Sequence, residues 1–407
     1  MNLLTINSFD CSAQTSGGVN QTTVALTTWF TRHADIRCFL GFFEEIPEGQ
    51  EPLPLFHGRI RLSRHFDKEA FRRFLQDNEI DIVQVNFLKK HNLVVMPELY
   101  EVAHQCGARV IYAFHMCPGF QVHTYGSFER ARYGWSHHDN ALAETKKWLL
   151  TAAKPLWLPA ANCLLRSKYR TPYDYADRVV VLSEHYFEPY LRLAGRPRTD
   201  KMVAIGNALR FSSFATPDDI AAKEKTLLVV ARFDEDTKRI SLVLRAWRHL
   251  QQDPLLAQWK LQLVGEGRDM PFYRYLVTRW HLQRVEFTGR QNPLEYYRRA
   301  SLFLMTSTAE GWGMVLTEAM QMGVPVIAMD SFGALHDIVT DGVTGRIVPN
   351  NDLSAFEVAV REWATGPPRL AVRAAKAAGD AHRFEMTHTA AKWLELFNQL
   401  TNTSSPQ

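Results

Sequence analysis

The chain has 407 residues, 46% of them hydrophobic and 22% charged, with a formal net charge of +4. That length exceeds one ordinary hydrophobic core and predicts two folded domains. So mild a charge excludes neither an anionic substrate nor attraction to anionic lipid, but it gives little support to nucleic acid as the main partner.

Short apolar runs alternate with amphipathic, charge-faced segments along the whole chain. Leu3–Ser8, Ile36–Phe43, Asp81–Phe87, Arg109–His115 and Arg178–Ser183 read as strands, and Asn20–His33, Lys68–Asn78 and Pro97–Cys106 as helices between them. Met1 to Ser8 is too short and strand-like for a signal peptide. A polar stretch from Gly195 to Asp200 then precedes Lys201–Ile205, and the join between domains is expected near residues 200–222. Beyond it the rhythm restarts. Thr226–Ala231, Lys260–Val264, Val285–Thr288, Leu302–Met305 and Val324–Ala328 read as strands, separated by helices Ser241–Leu250, Met270–Trp280 and Pro293–Ala300. Such alternation predicts parallel sheets in an α/β fold. The segment from Asp380 to Leu400 has a helical pattern, and the terminal Thr403–Gln407 is expected to fray. The expected division is therefore 1–205, 206–380, and a C-terminal helix and tail over 381–407.

One segment breaks the alternation. Residues 118–176 are far more than a strand-to-helix loop needs, so they form an insertion with its own helices. Over 146–170 it carries Lys146, Lys147, Lys154, Arg166, Lys168 and Arg170 without an acidic residue, interleaved with Trp148, Trp157 and several leucines. Basic residues among Trp and Leu can mark a segment lying on an anionic membrane surface. The preferred reading is plainer: a helical hairpin whose apolar side packs on its domain. The cysteines Cys11, Cys38, Cys106, Cys117 and Cys163 are scattered and lack CxxC spacing. They argue against a disulfide framework and a zinc site, and suit a reducing compartment. No run approaches the ~20 apolar residues of a membrane span. A cytoplasmic protein is expected, with the inner membrane face as its surface if segment 146–170 docks there.

The densest chemistry lies in Thr306–Pro325. Glu310 follows the apolar run Leu302–Met305, at the carboxyl end of a predicted strand, where open α/β sheets bind ligands. Gly311-Trp312-Gly313 then turns into a helix that carries Glu318. A helix N-terminus, here Gly313, Met314 and Val315, offers backbone N–H groups to phosphate, and glycine lets a ligand approach closely. One carboxylate can hold sugar hydroxyls and the other a ribose, with phosphate between them.

Glu310 through Glu318 form E-x7-E, and the order of motifs around them resembles the retaining glycosyltransferases of family 4. The resemblance also rests on Gly17-Gly18-Val19 after the first strand, His115 after a central strand, Val181-Leu182-Ser183, and Ile205-Gly206-Asn207-Ala208. In the second half it adds Arg232 with Lys238, Gly265-Glu266-Gly267, Phe287-Thr288-Gly289 and Asp341 to Gly345. Each motif is weak alone; the ordered set is specific. The C-terminal half matches almost throughout, the N-terminal half at its motifs only. Arg239 departs from the pattern, standing where the family usually has glycine.

The resemblance implies a GT-B fold: two Rossmann-like domains with parallel sheets facing across a cleft, the C-terminal helix crossing back to the first. It implies transfer from a nucleotide-diphosphate sugar, a UDP or GDP sugar, to a glycan or lipid-linked hydroxyl in envelope or exopolysaccharide synthesis. The anomeric configuration is retained and no metal or other cofactor is used. Arg232 and Lys238 would grip the diphosphate, Glu310 the sugar hydroxyls, Glu318 the ribose, and His115 the sugar from the opposite domain. Gly17, Gly18, Gly265, Gly311 and Gly313 would let loops approach the donor, and Arg290 would meet the nucleobase. Asp234-Glu235-Asp236 matches a metal-binding Asp-x-Asp on paper. With a cationic pair beside it, its expected role is solvated loop charge. Asn207 and Ser183 serve equally as packing or hinge residues. Two other readings stay open, a non-catalytic nucleotide-sugar-binding protein and a GT-B epimerase. A dehydrogenase is disfavoured, because Cys11-Ser12-Ala13-Gln14 stands where GxGxxG is needed.

Overall fold

The computed structural model describes residues 1–12, 18–46, 49–86, 95–122, 125–137 and 139–402. Two compact units divide the chain. Met1–Gly119, Asn162–Ala208 and Phe384–Gln407 form the first; Phe120–Ala161 and Leu209–Arg383 form the second. The expected fraying of Thr403–Gln407 lies outside the described residues.

In the first unit the strands are β1 (Asn2–Phe9), β2 (Arg37–Glu44), β3 (Gly58–Arg61), β4 (Ile82–Asn86), β5 (Arg109–Phe114), β6 (Arg178–Val181) and β7 (Met202–Ala204). They form one parallel sheet in the order β3-β2-β1-β4-β5-β6-β7. Helices α1 (Gly18–His33), α2 (Lys68–Asp77), α3 (Met96–Gln105) and α7 (Phe187–Ala194) connect them. β4 is buried at every position, as a central strand of a doubly covered parallel sheet is, including its polar Gln84 and Asn86. β3 was not expected from sequence. It is an edge strand whose Arg59-Ile60-Arg61 is partly solvated and carries no apolar run. The expected helix Lys68–Asn78 ends at Asp77, opened by Asp67, whose carboxylate accepts from the Ala70 N–H.

The second unit repeats the architecture. Strands β8 (Thr226–Val230), β9 (Lys260–Val264), β10 (Val285–Gly289), β11 (Leu302–Met305), β12 (Val326–Asp330) and β13 (Gly345–Pro349) pair in parallel, in the order β10-β9-β8-β11-β12-β13. This is the doubly wound order, whose direction reverses between β8 and β11. Between the strands lie α9 (Glu235–Lys238), α10 (Ile240–Leu250), α11 (Met270–Arg279), α12 (Leu294–Arg299), α13 (Met314–Gln321) and α14 (Leu335–Ile338). α8 (Pro217–Ala221) precedes them, and α15 (Leu353–Ala364) and α16 (Pro367–Ala381) follow. β13 escaped sequence analysis because Gly345 and Arg346 interrupt its apolar character.

Two placements differ from the sequence expectations or extend them. The insertion, expected within the first domain, contributes α4 (Phe128–His137) and α5 (Ala141–Ala152) to the second unit, while α6 (Lys154–Tyr175) leads back to the first. Tyr133 of α4 joins the core of the second unit beside Phe272 and Tyr275 of α11. The final helix, α17 (Met386–Asn402), belongs to the first unit, as a helix crossing back requires. It buries Ala390, Trp393, Leu396, Phe397 and Leu400 against Leu3, Ile82, Ile111 and Val180 of the sheet. Trp393 is 3% exposed. Trp393→Ala therefore removes one of the largest apolar contacts of the first unit and should cost about 3–5 kcal/mol of its stability. Denaturant unfolding measures this; a loss under ~1 kcal/mol would mean that the helix is dispensable to that core.

Candidate functional site

The reversal of strand order between β8 and β11 leaves a crevice at the strands' carboxyl ends, and the loops leaving these two strands carry most of the residues singled out from sequence. After β8 come Arg232 and, at the end of the short helical turn that follows, Lys238. After β11 come Glu310, Gly311 and Gly313. Although 72 residues apart in sequence, Lys238 Nζ donates to Glu310 Oε1 in a charge-assisted pair. Their side chains keep 20% and 16% exposure, so both charges remain within reach of a ligand. Arg232 is 70% exposed and lies 3.2 Å from Asp234. α13 opens at Gly313, whose φ of +90° is the left-handed conformation that glycine adopts without strain. Glu310 is thus not the cap of this helix; it faces the lysine instead.

Neighbouring loops brace the site. Gly265 has φ +139°, and a Cβ there would lie 1.9 Å from the Ala231 carbonyl oxygen, so only glycine lets the β9 loop run against the residue before Arg232. Arg239 occupies a left-handed position (φ +48°), where the family resemblance favours glycine. The strain, roughly 1–2 kcal/mol for a non-glycine residue, is offset by its side chain, which is 2% exposed. Nη1 donates to Asn351 Oδ1 (2.6 Å), Nη2 to the Ser307 carbonyl (2.8 Å) and to Asn350 Oδ1 (2.9 Å), and Nε to the Thr306 carbonyl. Sequence reasoning missed this brace, because its partners come from the end of β11 and the loop after β13.

Glu318 is enclosed rather than open. It is 4% exposed, accepts a hydrogen bond from Tyr297 Oη at 3.0 Å, and lies 3.7 Å from Arg210 Nη1. Burial raises its pKa, opposed by Arg210 and Tyr297. Neither partner carried a signal in the sequence. Arg290 stands at the end of β10, 72% exposed and 3.8 Å from Glu266.

The acidic run 234–236 corrects an expectation: these carboxylates are not solvated loop charge. Glu235 is 2% exposed and bonded to Ser241 through its carboxylate. Asp234 and Asp236 are ion-paired to Arg268, and Asp236 to Lys147 as well. No cluster with metal-binding composition occurs among the described residues.

The remaining residues lie in the first unit. Gly17 falls outside the described residues, and Gly18 opens α1. His115 follows β5, and its Nε2 lies 3.0 Å from Asn86 Oδ1. Asn86 Nδ2 donates to Asn7 Oδ1 (2.7 Å) and Thr23 Oγ1 (3.0 Å), which makes Oδ1 the acceptor and places the imidazole proton on Nε2. Nδ1 is then a buried lone pair with no partner among the described residues. Burial lowers the histidine's pKa to about 4, so the ring is neutral at neutral pH. It is suited to accept a hydroxyl proton, not to hold an anion. Ser183 is a helix cap, its Oγ accepting from the His185 N–H.

The comparisons with known proteins bear on these loops directly. Residues 215–380 match the family described as Glycosyl transferases group 1. The amylovoran biosynthesis glycosyltransferase AmsD of Erwinia amylovora is 30% identical over 175 residues, 42% of this chain and 48% of that one. The D-inositol 3-phosphate glycosyltransferase of Kribbella flavida is 34% identical over 252 residues, 58% and 59% of the two chains. The chain spans 24% to 59% of the length of the first curated relatives it matches. Among solved structures, Anabaena Alr3699/HepE in complex with UDP superposes with a TM-score of 0.70 at 16% identity, covering 98% of this chain and 100% of that one. The fold is GT-B.

Burial holds the Glu235 pKa up at about 7, above its ordinary 4.5, with Ser241 opposing the shift. The native state therefore binds this proton more tightly than the unfolded chain, and stability falls as pH rises through that window. Glu235→Gln should match the parent in Tm near pH 4.5 and exceed it progressively up to pH 7; parallel pH profiles would show that the carboxyl titrates normally.

Proposed function

We propose that this chain is a retaining glycosyltransferase that uses no metal and moves a sugar from a nucleotide-diphosphate sugar to a hydroxyl of a glycan or lipid-linked acceptor. The observation that carries this reading is the Lys238–Glu310 pair at the switch point of the second sheet, beside the exposed guanidinium of Arg232 and the N-terminus of α13. The family match over 215–380 and the relatives named as glycosyltransferases support it. A uracil nucleotide is favoured over a guanine one by the UDP in the Anabaena protein, whose fold this chain shares.

Lys238 and Arg232 neutralise the charge that grows on the leaving diphosphate, as a compact ammonium and a planar fork. N–H groups of Gly313, Met314 and Val315 assist from the helix start. Glu310 exchanges part of its contact with Lys238 for the sugar hydroxyls and fixes the ring against the diphosphate. The ribose meets Glu318 on the side now faced by Arg210, and the base lies towards Arg290. In the first unit, the neutral His115 is suited to accept a hydrogen bond from a hydroxyl at Nδ1. In front-face transfer the bond from the anomeric carbon to the diphosphate oxygen breaks. The acceptor oxygen bonds to the same face, and its proton passes to a donor phosphate oxygen. No carboxylate nucleophile is required.

Support for a lipid surface comes from α5. Its inner face carries Glu144 and Lys147 in ion pairs, whereas Leu142 (89% exposed), Lys146, Leu149 and Leu150 face outward. The hairpin thus packs on its unit in part, through Tyr133 of α4, while Leu142, Leu149 and Leu150 of α5 stay exposed. An amphipathic face with a basic residue fits the headgroup region of an anionic membrane, and no helix among the described residues is long and apolar enough to cross one.

Glu310→Gln and Lys238→Ala should each lower turnover at least about 100-fold with Tm unchanged within a few degrees; near-normal turnover removes that residue from the site. Proton NMR of the product should show a retained anomeric configuration, and an inverted product would exclude front-face attack. Nucleoside diphosphate released only when acceptor is present separates an enzyme from a nucleotide-sugar-binding protein. The lipid surface is tested by co-sedimentation with anionic vesicles, strong at low salt and lost at high salt or in Leu142→Ser/Leu149→Ser; indifference to both would end that reading.

A further inference from the structure

The insertion helices α4 and α5 grip the loop that carries Arg232 and Lys238, at two points. Lys147 Nζ donates to both oxygens of Asp236, at 2.9 and 3.0 Å, and to Glu144 Oε1 at 3.0 Å. Arg130, its side chain only 8% exposed, donates from Nε to Asp269 Oδ1 at 3.0 Å and from Nη2 to Asp139 Oδ2 at 2.9 Å. The other oxygen of Asp269 accepts the Glu235 backbone N–H at 2.8 Å. From Asp236 and Thr237 the chain of contacts continues to the glutamate side of the site. Thr308 N donates to the Thr237 carbonyl at 2.8 Å and Thr308 Oγ1 to the Asp236 carbonyl at 3.2 Å, two residues before Glu310.

We infer that Lys147 is a positioning residue for the donor diphosphate: by holding Asp236 it fixes the 232–238 loop and neutralises a carboxylate that would otherwise repel the phosphates. Arg130 holds the adjacent residue of the same loop, Glu235, through Asp269. The inference rests on the donor site proposed above. Two effects act together. The first is geometric, since Asp236 lies two residues from Lys238 on the same helical turn. The second is electrostatic. Asp234 and Asp236 are two negative charges on the loop meant to receive an anion; Arg232 and Arg268 pair with the first, Arg268 and Lys147 with the second. Arg268 is 59% exposed and screened by solvent, whereas Lys147 is 28% exposed, so its charge acts through a less polar medium. Lys147 acts on the phosphates through Asp236, not by contact with them.

The test is UDP and GDP binding by calorimetry, with donor KM and kcat, on the full chain. Lys147→Ala should weaken nucleotide binding and raise donor KM about tenfold, with kcat at saturating donor changed less. Lys147→Arg should restore most of the loss. Lys147→Ala with Asp236→Ala should bind more tightly than Lys147→Ala alone, because the uncancelled carboxylate is gone; a purely structural role predicts no such recovery. If Lys147→Ala does not fold, Lys147→Met keeps the aliphatic stem and carries the same expectations. Parent-like affinity and KM in a folded Lys147→Ala or Lys147→Met overturns the inference while leaving the donor site intact. A parent protein that binds neither nucleotide overturns the donor site, and the inference with it.

Discussion

A lysine from one loop and a glutamate from another face each other because β8 and β11 are neighbours in the sheet while lying far apart in the chain. Only at a point where strand order reverses do two such loops diverge and leave room for a ligand between them. The pair is half-enclosed, so neither charge is fully hydrated and each leans on the other. A sugar diphosphate offers both charges a substitute partner at once, phosphate for the ammonium and hydroxyls for the carboxylate. The surrounding features serve to hold this pair in register. Gly265 admits the β9 loop, Arg239 bolts the turn after Lys238 to the end of β11, and Thr308 ties the two loops by backbone and side chain.

Charge around the pair is balanced closely. An anion site flanked by three successive acids would work against itself unless those acids were occupied, and all three are: Glu235 by burial and Ser241, Asp234 by Arg232 and Arg268, Asp236 by Arg268 and Lys147. The last of these cations is supplied by an insertion that leaves the first unit's sheet after β5. Its α5 thereby has two unlike faces, one spent on ion pairs and the other apolar and exposed. A helix committed by its polar side is free to present its leucines elsewhere.

The first unit contributes polarity without charge. Asn7, Thr23, Gln84, Asn86 and His115 form a hydrogen-bonded cluster at the carboxyl ends of β1, β4 and β5, joined by Nδ2 and Nε2 donors. Burial keeps the imidazole neutral, and its Nδ1 has no partner among the described residues. Neutral donors and acceptors suit hydroxyl groups, where they discriminate by geometry, while the cationic loops of the second unit suit phosphate.

Much of this was legible in the chain itself. Strands covered on both faces are largely apolar, so β5, β8 and β11 stood out, and the loops following them placed His115, Arg232, Lys238 and Glu310 at strand ends. The order of those loops carried the family resemblance and the GT-B fold. Solvated or glycine-interrupted strands such as β3 and β13 were not legible, because a half-wet edge needs no apolar run. Nor were the enclosure of Glu318 by Tyr297 and Arg210, the brace made by Arg239, or the attachment of the insertion to the second unit. Asp236 and Lys147 are 89 positions apart, and composition alone says that charges exist without saying which are cancelled. Local pattern and order, set by backbone periodicity, determined the architecture and the candidate residues; partner choice among charges depends on which distant segments meet, and that only the tertiary structure decided.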